Sequence, residues 1–167
     1  MPVYQARAAL DQFWDRQIPV NPKRIAEAAG ARVLEDWSMS DHDLSGSFDI
    51  EYGIPTIRFN PNDAIVRQRF TIAHELGHML LQHGRAMRDN ARNYSSTTMQ
   101  LRERDANTFA AELLMPKEVL DWLVFRENIT DTQELARILN VSGAAMQYRL
   151  QNLGLLRSPF PSPAHHY

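Results

Sequence analysis

The chain has 167 residues, 44% apolar and 23% charged, with 18 basic against 20 acidic side chains and no cysteine. That is the profile of an ordinary globular domain with room for a proper core, and too apolar for a disordered segment. Lacking cysteine, the chain has no means to build a disulfide framework, a thiolate zinc site, an iron–sulfur cluster or a cysteine nucleophile, and a net charge of -2 offers no chain-wide attraction to nucleic acid or anionic membrane.

The opening stretch, MPVYQARAALDQFWDRQ, spaces its charges too closely for a signal-peptide core. No apolar run approaches the roughly 20 residues that cross a bilayer, so the expected location is cytoplasmic with no membrane partner. Ala8, Ala9, Phe13 and Trp14 give residues 4–16 a helical rhythm, which Ile18-Pro19-Val20-Asn21-Pro22 interrupts. Asn21 is placed to cap a short helix over 23–29, Pro22 suits its first turn and Gly30 its end. The apolar period then drops to two: residues around Val33, 44–50 and 54–59 read as short strands, with Tyr52-Gly53 as a hairpin turn.

Asn60-Pro61 carries a helix start signal, and the pattern predicts the longest helix from there to about His83, with Gly84 as its stop. Residues 85–98 show no clear period. A helix resumes near Leu101 and ends before Met115-Pro116, a short one covers 117–125, and Thr130-Asp131-Thr132-Gln133 is read as a capping box. Asn140-Val141-Ser142 then breaks and recaps the chain before a last helix over 143–152. The tail from Arg157 is too rich in proline to pack regularly.

The chemistry lies in Phe70-Thr-Ile-Ala-His-Glu-Leu-Gly-His, where His74-Glu75-x-x-His78 falls inside the long predicted helix. Four residues advance a helix by about 400°, so the two imidazoles are about 40° apart and reach one metal ion, while Glu75, one step round, reaches a water beside it as general base. A catalytic zinc wants a third protein ligand and an open position. The longer pattern HExxHxxGxxH fails, since Leu81 and Gly84 occupy its last two places, and His83 is a poor substitute, about 140° from His78 round the helix.

Among the downstream acids, Glu103 lies about 50° from the centre of the face made by Ala106, Phe109, Ala110, Leu113 and Leu114, whereas Asp105 and Glu112 lie beyond about 100° and read as solvated. Glu103 is therefore the expected third ligand, with Asn107, one turn on, as a hydrogen-bonding support for a ligand. Two imidazoles and one carboxylate suit one Zn2+ per chain best, with Mn2+ or Fe2+ tolerated.

Three blocks of this sequence resemble the ImmA/IrrE metallopeptidases: Arg69-Phe-Thr-Ile-Ala-His-Glu-Leu-Gly-His with Leu80-Leu81, then Glu103-x-Asp105-Ala-Asn-x-Phe-Ala-Ala-Glu-Leu-Leu-Met-Pro116, and more loosely Ile18-Pro-Val-Asn-Pro. The second block is the specific one. The resemblance implies a gluzincin-like site with His74, His78 and Glu103 on zinc and Glu75 as base. It also implies a protein substrate, a helix-turn-helix repressor or antitoxin whose cleavage releases mobile-element or stress genes. The family often has His where this chain has Gln82, with His83 next door.

The expected fold is α+β: a small, mostly antiparallel sheet of about three strands on a zincin-like helical core in residues 1–125, a helix-turn-helix-like segment in 126–155 and a disordered tail in 156–167. That segment offers Gln147, Tyr148 and a single cation, Arg149, to any DNA, so packing on the catalytic domain or docking a protein is favoured over DNA binding. A regulator using residues 130–155, with a structural or vestigial metal, is the alternative reading. Strand 54–59 is expected at a sheet edge, with Ile54, Thr56, Ile57 and Phe59 holding an extended substrate through main-chain hydrogen bonds. Tyr94, in the loop over 85–98, is weighed as an oxyanion donor against an ordinary solvent-facing tyrosine, and is not assigned a catalytic role.

Overall fold

The computed structural model describes residues 1–83 and 96–156. The chain begins with α1 (Pro2–Phe13), passes a cis Ile18–Pro19 peptide and enters α2 (Pro22–Ala28). Asn21 caps α2 as expected, its side chain accepting from the Arg24 amide at 3.2 Å, and Gly30 takes the left-handed turn, φ 101°, that delivers the chain into β1 (Arg32–Glu35). A 3₁₀ turn over Trp37–His42, capped by Asp36, leads to a hairpin of β2 (Gly46–Glu51) and β3 (Ile54–Phe59). Tyr52 and Gly53 both have positive φ at its tip, the geometry that suits the right-handed twist of paired strands.

The strand order is β1-β3-β2, with β3 antiparallel to β2 and parallel to β1. The fold is α+β, with a small three-strand mixed sheet. This corrects the edge placement of residues 54–59. The hairpin fills one side of β3 and β1 lies parallel along the other, joined to it through the 3₁₀ turn and β2, so its main-chain groups are used within the sheet. Thr56 and Ile57 are fully buried and Phe59 nearly so, while Ile54 lies exposed at the hairpin end. Ile54, Thr56, Ile57 and Phe59 therefore offer no free ladder to a substrate.

The metal-motif helix, α3, spans Ile65–Leu80, four residues short of its expected start. Asn60 explains the difference. Its side chain accepts from the Asn62 amide at 2.9 Å and donates to the Leu44 carbonyl at 2.9 Å, so it builds a turn instead of capping a helix. The next helix, α4 (Ser96–Leu114), is the longest described and begins well before Leu101. Chain direction then changes at Pro116 into α5 (Lys117–Asp121) and a π-helical turn, Trp122–Arg126. The last two helices are α6 (Thr132–Leu139) and α7 (Gly143–Asn152). Ser142 caps α7 by accepting from the Ala145 amide, but Asp131 makes no side-chain cap to α6, so the predicted capping box does not form.

The core lies where α3 and α4 cross beneath the sheet. Leu76, Ile57, Phe109 and Leu113 are fully buried there, and Leu135, Leu139, Met146 and Leu150 of the C-terminal pair belong to the same apolar cluster. Gly77 makes the crossing close: a β-carbon at that position would stand 3.1 Å from the Phe109 ring. Two arginines fasten the C-terminal pair to this core. Arg69 of α3 donates to the carbonyls of Val20, Leu139 and Asn140 at 2.6, 3.4 and 3.0 Å. Arg149 of α7 donates to the Met115 carbonyl at 3.0 Å and pairs with Glu112.

Glu112 is thus not on a solvated face. It is 2% exposed and held by Arg149 and by Arg7 of α1 at 3.1 Å. Arg149, the one cation the sequence offers to DNA from the last helix, is 8% exposed and committed to this pair. Among the described residues no helix is long and apolar enough to cross a membrane.

Candidate metal centre

His74 and His78 sit one turn apart on the flank of α3 that faces α4, because the apolar positions Ile72, Ala73 and Leu76 turn the helix core-inward on the adjacent stripe. Their Nε2 atoms approach to 3.1 Å, with the ring planes at 84°. Glu103 of α4 completes the group. Its two carboxylate oxygens lie 3.1 Å from His74 Nε2 and 2.9 Å from His78 Nε2. Its side chain is 58% exposed, so it reaches the histidines from the cleft and not from the buried face that the helical wheel suggested.

The ring nitrogens facing away are also engaged. Nδ1 of His74 lies 2.8 Å from Asn107 Oδ1, an acceptor to which it donates, which turns Nε2 toward the cleft. Nδ1 of His78 lies 3.0 Å from Nδ1 of His83. His83 was passed over on the assumption of a continuing helix. In fact α3 ends at Leu80, Gln82 takes the left-handed conformation with φ 61°, and the chain doubles back to place the buried His83 ring against His78, where Arg102 holds its carbonyl at 2.8 Å. The signal in the sequence was the third imidazole itself, just beyond the helix.

Burial pushes the Glu75 carboxyl up to about 7, with the charge of Glu103 adding to the effect. Burial likewise pushes His78 down to about 4, helped by the charge of His74, which leaves the ring neutral near pH 7. Two imidazole Nε2 atoms at 3.1 Å from each other, with a carboxylate reaching both, make the donor set that a cation takes. The group therefore fits a metal ion: His74, His78 and Glu103 each present one ligand atom, all within 4.8 Å of one another. Glu75, Phe70 and Thr71 line a cavity of about 700 Å³ beside it, bordered across the gap by Leu44, Ser45 and Gly46. A β-carbon on Gly46 would lie 2.2 Å from the Thr71 methyl and 3.5 Å from Glu75 Cγ, so glycine is what lets β2 pass this close to the glutamate. Ile54, Thr56, Ile57 and Phe59 do not line this cavity, and Tyr94 lies outside the described residues.

The donor set His74, His78 and Glu103, with Glu75 beside it, is of the kind that metallopeptidases use. Comparison with known proteins agrees. The chain is 37% identical over 109 residues to the radiation response metalloprotease IrrE of Deinococcus deserti, an alignment covering 63% of this chain and 38% of that one. It is 30% identical over 93 residues to the metallopeptidase ImmA of Bacillus subtilis, covering 56% and 54%. An uncharacterized immunity region protein 2 of Bacillus phage phi105 is 29% identical over 125 residues, 75% of each chain. The chain spans about half or less of the length of these two metallopeptidases. A Mycobacterium tuberculosis transcriptional regulator shares the fold, with a TM-score of 0.68 at 19% identity over 95% of this chain and 47% of that one.

The model of the IrrE N-terminal-like domain matches residues 26–151, three quarters of the sequence, and the chain belongs to that ImmA/IrrE family.

Proposed function

We propose that the chain is a zinc-dependent endopeptidase that cuts a specific helix-turn-helix repressor or antitoxin inside the cell. The observation that carries the reading is the convergence of His74 Nε2, His78 Nε2 and the Glu103 carboxylate at 2.9–3.1 Å, with Glu75 beside a cavity large enough for a peptide side chain. His74, His78 and Glu103 would hold the zinc, which when bound supplies Lewis acidity toward a water and a peptide carbonyl. Asn107 and His83 fix the two imidazoles so that Nε2 faces the cleft. Glu75 takes a proton from the attacking water and returns it to the leaving amine, a role suited to a carboxyl whose burial raises its proton affinity toward neutral pH.

The narrower substrate follows from the company the chain keeps. Its relatives include a protein of a phage immunity region and metallopeptidases named ImmA and IrrE. The family resemblance read from the sequence implies a repressor or antitoxin as substrate, and an immunity-region relative is in keeping with it. A regulator that binds DNA through residues 130–155 draws no support from the geometry, because Arg149 is buried in an ion pair and the turn between α6 and α7 is occupied by Arg69.

The test is incubation of zinc-loaded protein with purified helix-turn-helix repressors and, in parallel, with unfolded casein, read by intact mass. One repressor should be cut at a single bond while casein survives, and Glu75→Gln should keep zinc and fold yet cut nothing. Equal cleavage of casein would make the chain a general peptidase, and no cleavage by the zinc-loaded parent of any protein would remove the reading.

A further inference from the structure

The cleft beside the metal centre does not belong to the peptidase helices alone. The cavity of about 700 Å³ next to His74 and Glu75 is closed on its far side by Val141, Ser142 and Ala145. A second hollow of about 920 Å³ lies on the other flank of the centre, between Met99, Glu103 and Asn107 of α4 and Ala145, Tyr148 and Asn152 of α7. Phe70, Asn107 and Ala145 border both. The two hollows therefore adjoin at these residues and form the groove beside His74 and Glu103, with α3 and α4 on one side and α7 on the other.

Helix α7 is built as a fixed wall. Its entry is tied to α3 by Arg69 on the Leu139 and Asn140 carbonyls, and its second half is tied to α4 by Arg149 on Glu112 and Met115. Met146 and Leu150 anchor its inner stripe in the core. Ser142, Ala145, Tyr148 and Asn152, three or four residues apart, share the stripe left over, and it faces the groove. Both hollows are mainly apolar, with Leu44, Val66, Phe70 and Val141 in the first and Met99, Ala111 and Met115 in the second, and polar groups border each.

We propose that α7 is the substrate-selecting wall of this cleft: an extended peptide lies across the metal centre, Ala145 leaves room for an apolar side chain where the two hollows meet, and Tyr148 selects its neighbour in the second. This rests on the peptidase reading for the nature of the occupant. It assigns the helix-turn-helix-like pair to reading the substrate peptide, not nucleic acid, and makes Ala145 and Tyr148 specificity-determining residues.

The experiment is selection of binding peptides from a displayed random decapeptide library on zinc-loaded Glu75→Gln protein of full length, repeated with Ala145→Phe and with Tyr148→Ala added. The parent should enrich peptides with an apolar residue at one position. Ala145→Phe should weaken their binding by about tenfold or more or erase the apolar preference, since a large side chain would then fill the shared hollow. Tyr148→Ala should keep the apolar preference and change the neighbouring one. Tyr148 is 67% exposed, so its truncation tests the wall even if the larger residue at 145 prevents folding. Identical profiles in the parent and the variants that fold, or no enriched peptide at all, would overturn the proposal. Incubating the enriched peptides with the native zinc-loaded chain separates the two readings: peptides bound but uncut would end the peptidase reading and leave the wall, whereas peptides cut identically by native, Ala145→Phe and Tyr148→Ala chains would end the wall and leave the peptidase.

Discussion

Glu103 and Glu112 stand about two and a half turns apart on the same helix, and their surroundings could hardly differ more. Glu103 keeps 58% of its side chain exposed and leans over two imidazoles, whereas Glu112 is 2% exposed and lies between Arg7 and Arg149. The first meets, among the described residues, the Nε2 atoms of two imidazoles. The second is neutralised twice over by the chain, with α1 and α7 each contributing a guanidinium. One helix thus carries a carboxylate for chemistry at its open end and a carboxylate for cohesion at its closed end.

The largest effect expected from breaking this comparison is on stability at the closed end. Glu112→Ala leaves Arg149 buried without its partner and should cost about 3–5 kcal/mol in urea denaturation. A loss below about 1 kcal/mol would mean that the pair contributes little and that Arg149 relaxes to solvent. Glu103→Ala should behave in the opposite manner: folding stability of the metal-free protein nearly unchanged, but zinc affinity weakened beyond the roughly 10–100-fold expected for His83→Ala or Asn107→Ala, which remove only the groups behind the ligands. Competition titration with a chelating dye reads all three. Equal zinc affinity in Glu103→Ala and the parent would place the third ligand elsewhere.

A third carboxylate sharpens the contrast from the weak end. Glu51 on β2 accepts two hydrogen bonds from Arg58, at 3.0 and 2.9 Å, and these hold its carboxyl below the ordinary range. A carboxyl whose folded value is depressed contributes stability above its unfolded value of 4.5 and loses it as pH falls through the folded one. The small destabilisation by Glu51→Gln at pH 7 should therefore shrink on acidification below 4.5, as measured by thermal unfolding across pH. A difference that stays constant down to pH 3 would show that the Arg58 pair is not its source.

What the sequence made legible follows the range over which each interaction acts. Asn21, Ser142 and the Tyr52-Gly53 turn act on neighbours a few residues away, and α2, α7 and the β2–β3 hairpin stand close to where those residues placed them. The spacing of His74, Glu75 and His78 is likewise local to one helix. Long-range partners decided the rest. Glu112 reads as a surface residue on its own helix because both of its guanidinium partners arrive from elements far away in sequence. The central position of β3 depends on β1 crossing over to it, which no pattern within residues 54–59 encodes. Asn60 carries a helix-capping residue type, yet Ser40 and Leu44, both distant in sequence, draw its side chain into a turn instead. Glu103 stands against the histidines from an exposed position, whereas the helical wheel expects it on a buried face.

The backbone at Gln82 has a consequence of its own. Its side chain touches none of the chemistry, yet a φ of 61° there is what folds His83 under His78. A β-branched residue resists that dihedral. The orientation of a ring that faces the cleft is therefore governed by one torsion angle two residues past the end of its helix, and an inventory of functional groups alone would pass over the position that sets it.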